Sequence, residues 1–154
     1  MLENIRVSEW MTSPAISVTP DTPVKEAHQL MKERHIRRLP VVDQDRLVGI
    51  ITIGDIREAS PSDATSLSIW ELNYLWDQLT VKKVMTTGVI SVRPDDTILS
   101  VAYLMLENKI SGMPVVDEHG KLVGIITESD IFKMLVQARS DEPRKLAPLP
   151  SESE

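Results

Sequence analysis

The chain has 154 residues, of which 42% are hydrophobic and 26% are charged, so its composition is that of one folded domain or two small ones. The absence of cysteine excludes disulfides, thiolate metal ligands and a cysteine nucleophile, and the net charge of −6 argues against a general nucleic-acid-binding protein. No apolar run could span a membrane and the N-terminus lacks the pattern of a signal peptide, so we expect a cytoplasmic location.

The sequence of residues 1–60 predicts a strand–helix–strand–strand–helix unit. Ala15–Val18 is rich in β-branched residues and predicts a short strand. A helix follows with Thr22 as its N-cap, because apolar residues recur from position 24 at a spacing of three to four. Arg38–Val42 and Leu47–Ile53 are nearly continuous apolar runs that predict two buried strands, and a second helix is expected to open near Gly54.

The remaining segments divide the chain further. Residues 61–80 form a connector in which Leu67, Trp70 and Tyr74 lie at helical spacing, which predicts an amphipathic helix. Its aromatic side chains either fold back onto the protein or form a partner surface. Residues 81–139 form the second unit, and 140–154, with three prolines, are expected to be a disordered tail.

The second unit repeats the first. Residues 7–43 align with 81–117 at an offset of 74, and residues 46–56 align with 121–131 at an offset of 75. Half of the aligned positions are identical, which chance does not produce. Units of about 50 residues are marginally stable alone. We therefore predict that residues 1–60 and 81–139 pack as a pseudo-twofold pair around one continuous core.

The duplicated order of PVVD, LVGIIT and T-x-x-D resembles the cystathionine-β-synthase (CBS) domain, two of which in tandem form a Bateman module. The resemblance covers about residues 5–138. It implies an α/β (α+β) fold of two tandem β-α-β-β-α repeats. The connector and the following LTVKKVM are similar to stand-alone bacterial CBS-pair proteins of the acetoin-utilisation type.

Two Thr-x-x-Asp motifs, at Thr52 and Asp55 and at Thr127 and Asp130, follow a predicted strand and open a helix. The spacing fits a capping box, in which the threonine and the acid satisfy backbone N–H groups. It also fits a nucleotide site, since a helix start suits phosphate and a carboxylate can accept from ribose hydroxyls. The resemblance implies the second role, and the two roles are compatible.

The corner between the first helix and the second strand differs between the repeats. Repeat 1 has Arg37 and Arg38 there, and a guanidinium binds phosphate through paired N–H donors. Repeat 2 has Ser111 and Gly112 instead. The resemblance implies that each cleft joins the Thr-x-x-Asp motif of one repeat to this corner of the other.

By that resemblance, one cleft joins Thr127 and Asp130 to the arginine pair and takes the more phosphorylated ligand. The other cleft joins Thr52 and Asp55 to Ser111 and Gly112. The first strands would supply apolar walls for an adenine, through Ala15, Ile16, Val89 and Ile90.

We therefore interpret the chain as a non-catalytic regulatory module that binds AMP, ADP or ATP and passes the ligand state to a protein partner. It has no nucleophile elbow, P-loop or dinucleotide fingerprint, and its three histidines suggest no metal site. No cofactor is expected to be required. The alternatives are a sensor of another adenosyl ligand, such as S-adenosylmethionine, and a ligand-free interaction scaffold.

We also expect a homodimer stacked through helical faces into a flat disc, because the helices carry more apolar residues than a core of this size needs. The residues expected on this face are Met31, Leu104, Met105, Ile131, Met134 and Leu135, with Trp70, Tyr74 and Trp76 of the connector.

Overall fold

The computed structural model describes residues 2–60 and 67–137, so residues 61–66 of the connector and the expected tail lie outside it. A short 3₁₀ turn at Leu2–Asn4 precedes the regular elements. These are α1 Val7–Trp10, α2 Val24–Arg34, β1 Arg38–Asp43, β2 Arg46–Thr52, α3 Ile53–Ala59, α4 Ile69–Gln78, α5 Val81–Val84, α6 Ile98–Asn108, β3 Gly112–Val116, β4 Leu122–Thr127 and α7 Glu128–Gln137.

Each repeat is built on an antiparallel hairpin, β1–β2 in repeat 1 and β3–β4 in repeat 2. The two hairpins meet at their turns, where the Leu47 N–H donates to the Gly120 carbonyl (3.1 Å) and the Leu122 N–H to the Asp45 carbonyl (3.2 Å). The mixed helix and strand class predicted from the sequence is confirmed.

The predicted first strand is reduced to one parallel bridge, between Val18 and Val41. The Val18 N–H donates to the Pro40 carbonyl, and the next ladder bond backwards would need an N–H at Pro40, which has none, so the strand does not extend. Repeat 2 has the same single bridge, between Val92 and Val115. The predicted N-cap is also wrong: helix α2 begins after Pro23, and the Thr22 hydroxyl accepts from the Thr19 N–H at 3.1 Å.

The repeats exchange their first segments. Strand-like bonds tie the start of repeat 1 to repeat 2, with the Val7 N–H donating to the Asp96 carbonyl at 2.8 Å. The reciprocal bond runs from the Val81 N–H to the Thr22 carbonyl, also at 2.8 Å. Helix α1 therefore packs on repeat 2, and α5 packs on repeat 1.

Two buried clusters replace the single core that we predicted, because each hairpin and its helices enclose their own apolar interior. Each cluster contains one valine from the other repeat, Val7 or Val81, and both valines are fully buried. The repeat-1 cluster is Val18, Val24, Ala27, Met31, Leu39, Val41, Ile51, Ile56 and Val81. The repeat-2 cluster is Val7, Val92, Ile98, Val101, Met105, Met113, Val115, Ile126 and Met134.

These clusters correct the expected dimer face. Met31, Met105 and Met134 are at most 5% exposed and belong to the cores, because they point under their helices towards the hairpins. Leu104 and Ile131 are half-buried against the repeat-2 cluster. Of the six helix residues that we expected there, only Leu135 is exposed.

Helix α4 lies within the connector and packs back onto repeat 1 through Trp76, while Trp70 and Tyr74 remain 83% and 64% exposed. An ion pair between Lys25 and Asp77 also joins α2 to α4. The first alternative for the connector aromatics thus applies to Trp76, and a partner surface at the exposed Trp70 and Tyr74 stays a prediction.

The segments that follow α1 and α5 pair with the hairpin of the other repeat. Thr12 exchanges two backbone bonds with Ile125, at 2.8 and 3.0 Å. A Cβ atom on the neighbouring Gly124 would lie 2.9 Å from the Thr12 carbonyl oxygen and 2.8 Å from Met11 Sδ. Glycine is therefore required at 124 because another backbone approaches it closely.

We predict that Gly124→Ala destabilises the protein by about 1–3 kcal/mol, because a methyl group there is forced against backbone. Gly54→Ala is the matched control, since its Cβ would meet only the Thr52 hydroxyl at 3.6 Å inside helix α3. The control should gain up to about 1 kcal/mol from helix propensity. Urea unfolding measures both, and equal effects would contradict the close approach.

Candidate functional site

Both Thr-x-x-Asp motifs form capping boxes. The Asp55 N–H donates to the Thr52 hydroxyl at 3.1 Å, and the Thr52 N–H donates to Asp55 Oδ2 at 2.9 Å. At the start of α7, the Thr127 N–H donates to Asp130 Oδ2 at 2.9 Å, and the Asp130 N–H donates to the Thr127 hydroxyl at 3.4 Å. The capping alternative is thus realised in both repeats.

Asp130 is held more tightly than Asp55. It is 6% exposed and also accepts from the Thr127 hydroxyl at 3.1 Å and from the Thr12 hydroxyl at 3.4 Å. Asp55 is half-buried and accepts within its box. The contact from Thr12 crosses between repeats, so the carboxylate of α7 lies where the two repeats meet.

The corner after α2 is set by His35, whose φ of 55° ends the helix in the left-handed region. The turn brings Arg37 and Arg38 to the start of β1, and the Arg37 carbonyl accepts from the Ile53 N–H at 2.9 Å. Lys109 takes the same conformation at the end of α6. Each corner is therefore fixed beside the helix that opens with a Thr-x-x-Asp motif.

Two of the clefts between the repeats contain predicted site residues. Cleft A has a volume of about 370 Å³ and cleft B about 510 Å³. Cleft A is lined by Arg38, Ile50, Thr52, Thr86, Gly88, Val89, Ile90, Lys109, Ile110, Ser111, Gly112 and Pro114. Cleft B is lined by Thr12, Ile16, His35, Ile36, Arg37, Arg38, Ser111, Ile125, Thr127, Glu128, Ser129, Asp130 and Lys133.

The structure brings together most of the residues that the sequence predicted. Cleft B combines Thr127 and Asp130 with Arg37 and Arg38, and cleft A combines Thr52 with Ser111 and Gly112. Ile16 lines cleft B, whereas Val89 and Ile90 line cleft A. Ala15 and Asp55 line neither cleft.

Several lining residues were missed. Thr12 and Thr86 are identical at equivalent repeat positions, as are Ile50 and Ile125, so the duplication carried a signal for them. Lys109 and Lys133 align with His35 and Glu58, which are different residues, so the duplication did not indicate them.

Cleft B, which was expected to take the more phosphorylated ligand, does not have the larger net positive charge. The lining of cleft B has three permanent cations, Arg37, Arg38 and Lys133, but also the carboxylates of Glu128 and Asp130. The lining of cleft A has Arg38 and Lys109 and no carboxylate. Any preference of cleft B for phosphate thus depends on the adjacent arginines and not on net charge.

Arg38 lies in the least solvated environment of these cations. Burial lowers the pKa of its guanidinium, the Glu128 carboxylate raises it, and Arg37 lowers it further. The guanidinium donates to the Ser111 hydroxyl across the repeats. Arginine remains protonated in such surroundings, so this is a partly desolvated cation beside both clefts.

Within residues 2–60 and 67–137, no group of three or more His, Asp or Glu side chains could hold a metal ion. No helix in this part of the chain has the length and apolar character to cross a membrane.

A model of the CBS domain matches residues 7–62 and 81–137. An uncharacterised protein of Methanocaldococcus jannaschii, MJ1225, is 33% identical over 138 residues, which are 85% of this chain and 47% of that protein. Its crystal structure superposes with a TM-score of 0.76, covering 86% of this chain and 48% of that one. The chain spans about a quarter to a half of the length of the curated relatives that it matches first, some of which carry enzyme names.

Solved structures of similar size also match. CBSX2, an Arabidopsis thaliana protein, in complex with AMP is 30% identical, with a TM-score of 0.73 over 88% of this chain and 98% of that one. The CBS-domain pair of MJ0100, in complex with 5′-methylthioadenosine and S-adenosylmethionine, is 30% identical, with a TM-score of 0.71 over 87% and 98%. A Vibrio cholerae protein named for acetoin utilisation, AcuB, is 30% identical, with a TM-score of 0.74 over 90% and 98%.

We predict that Asp130→Ala lowers the free energy of unfolding by about 1.5–3 kcal/mol without any ligand, because buried donors lose a charged acceptor. Asp55→Ala should lower the free energy of unfolding by less, since water reaches the site of Asp55. Ser129→Ala, an exposed neighbour, should change stability by at most about 0.5 kcal/mol. Urea unfolding gives all three values, and equal losses for the two aspartates would show that the burial and the Thr12 contact add nothing.

Proposed function

The chain belongs to the CBS-domain family, and from that premise we propose that it is a non-catalytic regulatory module whose inter-repeat clefts bind an adenine nucleotide, AMP, ADP or ATP. The observation that carries this proposal is cleft B, where Thr127 and Asp130 of one repeat face Arg37 and Arg38 of the other. Hydroxyl, carboxylate and guanidinium groups in one cleft match the ribose and phosphate of a nucleotide.

Different lining residues would bind the ribose, the phosphate and the purine. Asp130 accepts three bonds from Thr127 and Thr12, which leaves one lone-pair site of its carboxylate for a ribose hydroxyl, and a second becomes free if the ligand displaces the Thr12 hydroxyl. Arg37 and Arg38 supply paired donors for phosphate. Ile16 and Ile125 give cleft B an apolar wall for a purine, and Ile50 and Ile90 do the same in cleft A. The ligand acts as a regulatory effector and not as a required cofactor.

The bound relatives support an adenosyl ligand of either of two kinds, since AMP occupies one and S-adenosylmethionine with methylthioadenosine another. S-adenosylmethionine is the second candidate. The two carboxylates of cleft B suit its sulfonium and ammonium groups, and the arginines suit its carboxylate. Dependence of binding on phosphate separates the candidates.

Signal transmission follows from the location of the clefts. Both are lined by residues of both repeats, so a ligand contacts both and favours the relative placement that fits it best. A protein partner would bind one placement more tightly than the other.

We further propose that the module forms a homodimer through repeat 2. The exposed face of α6 and α7 is apolar, with Tyr103 at 61% and Phe132 at 61% exposed. The equivalent positions of repeat 1 are Gln29 and Arg57, which are polar and exposed. A twofold axis that brings repeat 2 onto its own copy buries apolar surface and leaves the charged face in water. The exposed apolar residues of this face are Leu99, Tyr103, Leu106, Phe132, Leu135 and Val136.

A thermal-shift panel of AMP, ADP, ATP, NADH, S-adenosylmethionine and cyclic dinucleotides tests the ligand. An adenine nucleotide at 100 times its Kd should stabilise the protein by about 2.7 kcal/mol and raise its Tm. If only S-adenosylmethionine raises the Tm, the second candidate holds. If no compound at millimolar concentration does so, the chain is the ligand-free scaffold.

A matched pair of variants checks where the phosphate binds. Arg37→Ala should weaken AMP by about 1.5–3 kcal/mol and adenosine much less, because a charge-assisted bond is lost. Arg34→Ala, which changes an exposed arginine at the end of α2 that lines neither cleft, should leave both affinities unchanged. Equal weakening of AMP and adenosine would remove Arg37 from the phosphate site.

Light scattering tests the dimer. The mass at micromolar concentration should be about 35 kDa, twice the 17.3 kDa of one chain. Phe132→Asp should lower it to that of the monomer, because a carboxylate would lose its water in the contact. Arg57→Asp changes the equivalent exposed position of repeat 1 and should leave the dimer intact. A wild-type mass equal to that of one chain, or dissociation by both variants, contradicts the proposed contact.

A further inference from the structure

Arg38 has no counterpart in repeat 2, where it aligns with Gly112. A Cβ on Gly112 would lie 2.5 Å from Arg38 Nη1 and 2.8 Å from its Cζ. The guanidinium therefore lies over the start of β3, and it would have to move if residue 112 carried a side chain. The pseudo-twofold pair holds one guanidinium where exact symmetry would require two.

The same side chain belongs to both clefts. Among the residues that line clefts A and B, only Arg38 and its hydrogen-bond partner Ser111 are common to the two. Every other lining residue belongs to one cleft. Arg38 is thus the one charged group on the wall between two sites that would each hold a phosphate.

From this shared position we propose that the two clefts compete for the Arg38 guanidinium, so that a phosphorylated ligand in one cleft weakens binding of a phosphorylated ligand in the other. The inference rests on nucleotide binding as proposed above. A guanidinium offers its paired N–H donors in one plane, so directing them to one phosphate withdraws them from the other. Two phosphates near one cation also repel each other.

The remaining cations make the two clefts unequal in affinity. Without Arg38, cleft B keeps Arg37 and Lys133, whereas cleft A keeps only Lys109 of the permanent cations that line it. Cleft B should therefore bind phosphate more tightly and fill first, and by linkage each occupied cleft weakens the other by the same factor. In the ligand-free protein the guanidinium rests on the Ser111 hydroxyl, a neutral acceptor that an anion can displace.

The test uses two variants that block one cleft each. Ile16 lines only cleft B and Ile90 only cleft A, the two align in the repeats, and they are 36% and 37% exposed. Ile16→Trp and Ile90→Trp therefore give the AMP affinity of each cleft alone by isothermal titration calorimetry. From these two affinities and the enthalpies measured with them, the isotherm of independent clefts follows without adjustable parameters.

For the wild-type chain we expect the second AMP to bind at least about fivefold more weakly than the independent clefts predict. The deficit should vanish with adenosine, which has no phosphate, and in Arg38→Gln, in which both clefts bind AMP more weakly but independently. One AMP per wild-type chain, with one in each blocked variant, is the strongest form of the expected result.

Adenosine measured in the same blocked variants supplies its own single-cleft constants, which separate the coupling from any difference in how strongly the two clefts bind phosphate. An equal deficit for adenosine, an AMP isotherm that matches independent clefts, a deficit that persists in Arg38→Gln, or a blocked variant that binds no AMP would overturn the coupling and leave nucleotide binding in place. If neither AMP nor adenosine binds any variant, the proposed function itself fails.

Discussion

The reciprocal exchange of the first segments is the constraint on which the rest of the structure depends. Val7 completes the core of repeat 2 and Val81 completes that of repeat 1, and both are fully buried. Each fully buried valine side chain contributes roughly 1.5–3 kcal/mol, which is a large share of the stability of a unit of this size. Because neither core is complete without the other repeat, the two repeats stay together and the clefts form at their junction. The placement of Thr12 beside Asp130 is a direct result of the exchange.

Much of this architecture could be predicted from the sequence, because repetition supplies information that one unit lacks. The nearly constant offset between the two copies located both hairpins and both Thr-x-x-Asp motifs. The exchange could not be predicted in the same way. Val7 and Val81 align, which shows that both are alike, but an apolar residue in a pattern specifies burial and not the core in which it is buried. Lys109 was missed because its position depends on the left-handed end of α6.

An apolar pattern also does not show which side of a helix is buried. Met134 and Leu135 are neighbours on an apolar helix, yet the first is in the core and the second is exposed, and composition alone does not separate them. The structure separates them, and it also shows that the outer positions of Tyr103 and Phe132 in repeat 2 are occupied by the polar Gln29 and Arg57 in repeat 1. Arg38 is the corresponding case within the clefts. The sequence assigned it to one cleft, but only the position of its guanidinium over Gly112 shows that it borders both.

The exchange has a consequence for how such a chain can arise. A single repeat, folded with its own first segment directed outward, would have an incomplete core and an extended arm that fits only another unit of the same kind. Two copies of that unit would close on each other with the same bonds that join the halves here. The present chain is equivalent to such a pair fused end to end. After fusion the two halves can differ in sequence, so one could acquire an arginine at the shared corner while the other became glycine. Two separate copies of one gene product could never differ in this way.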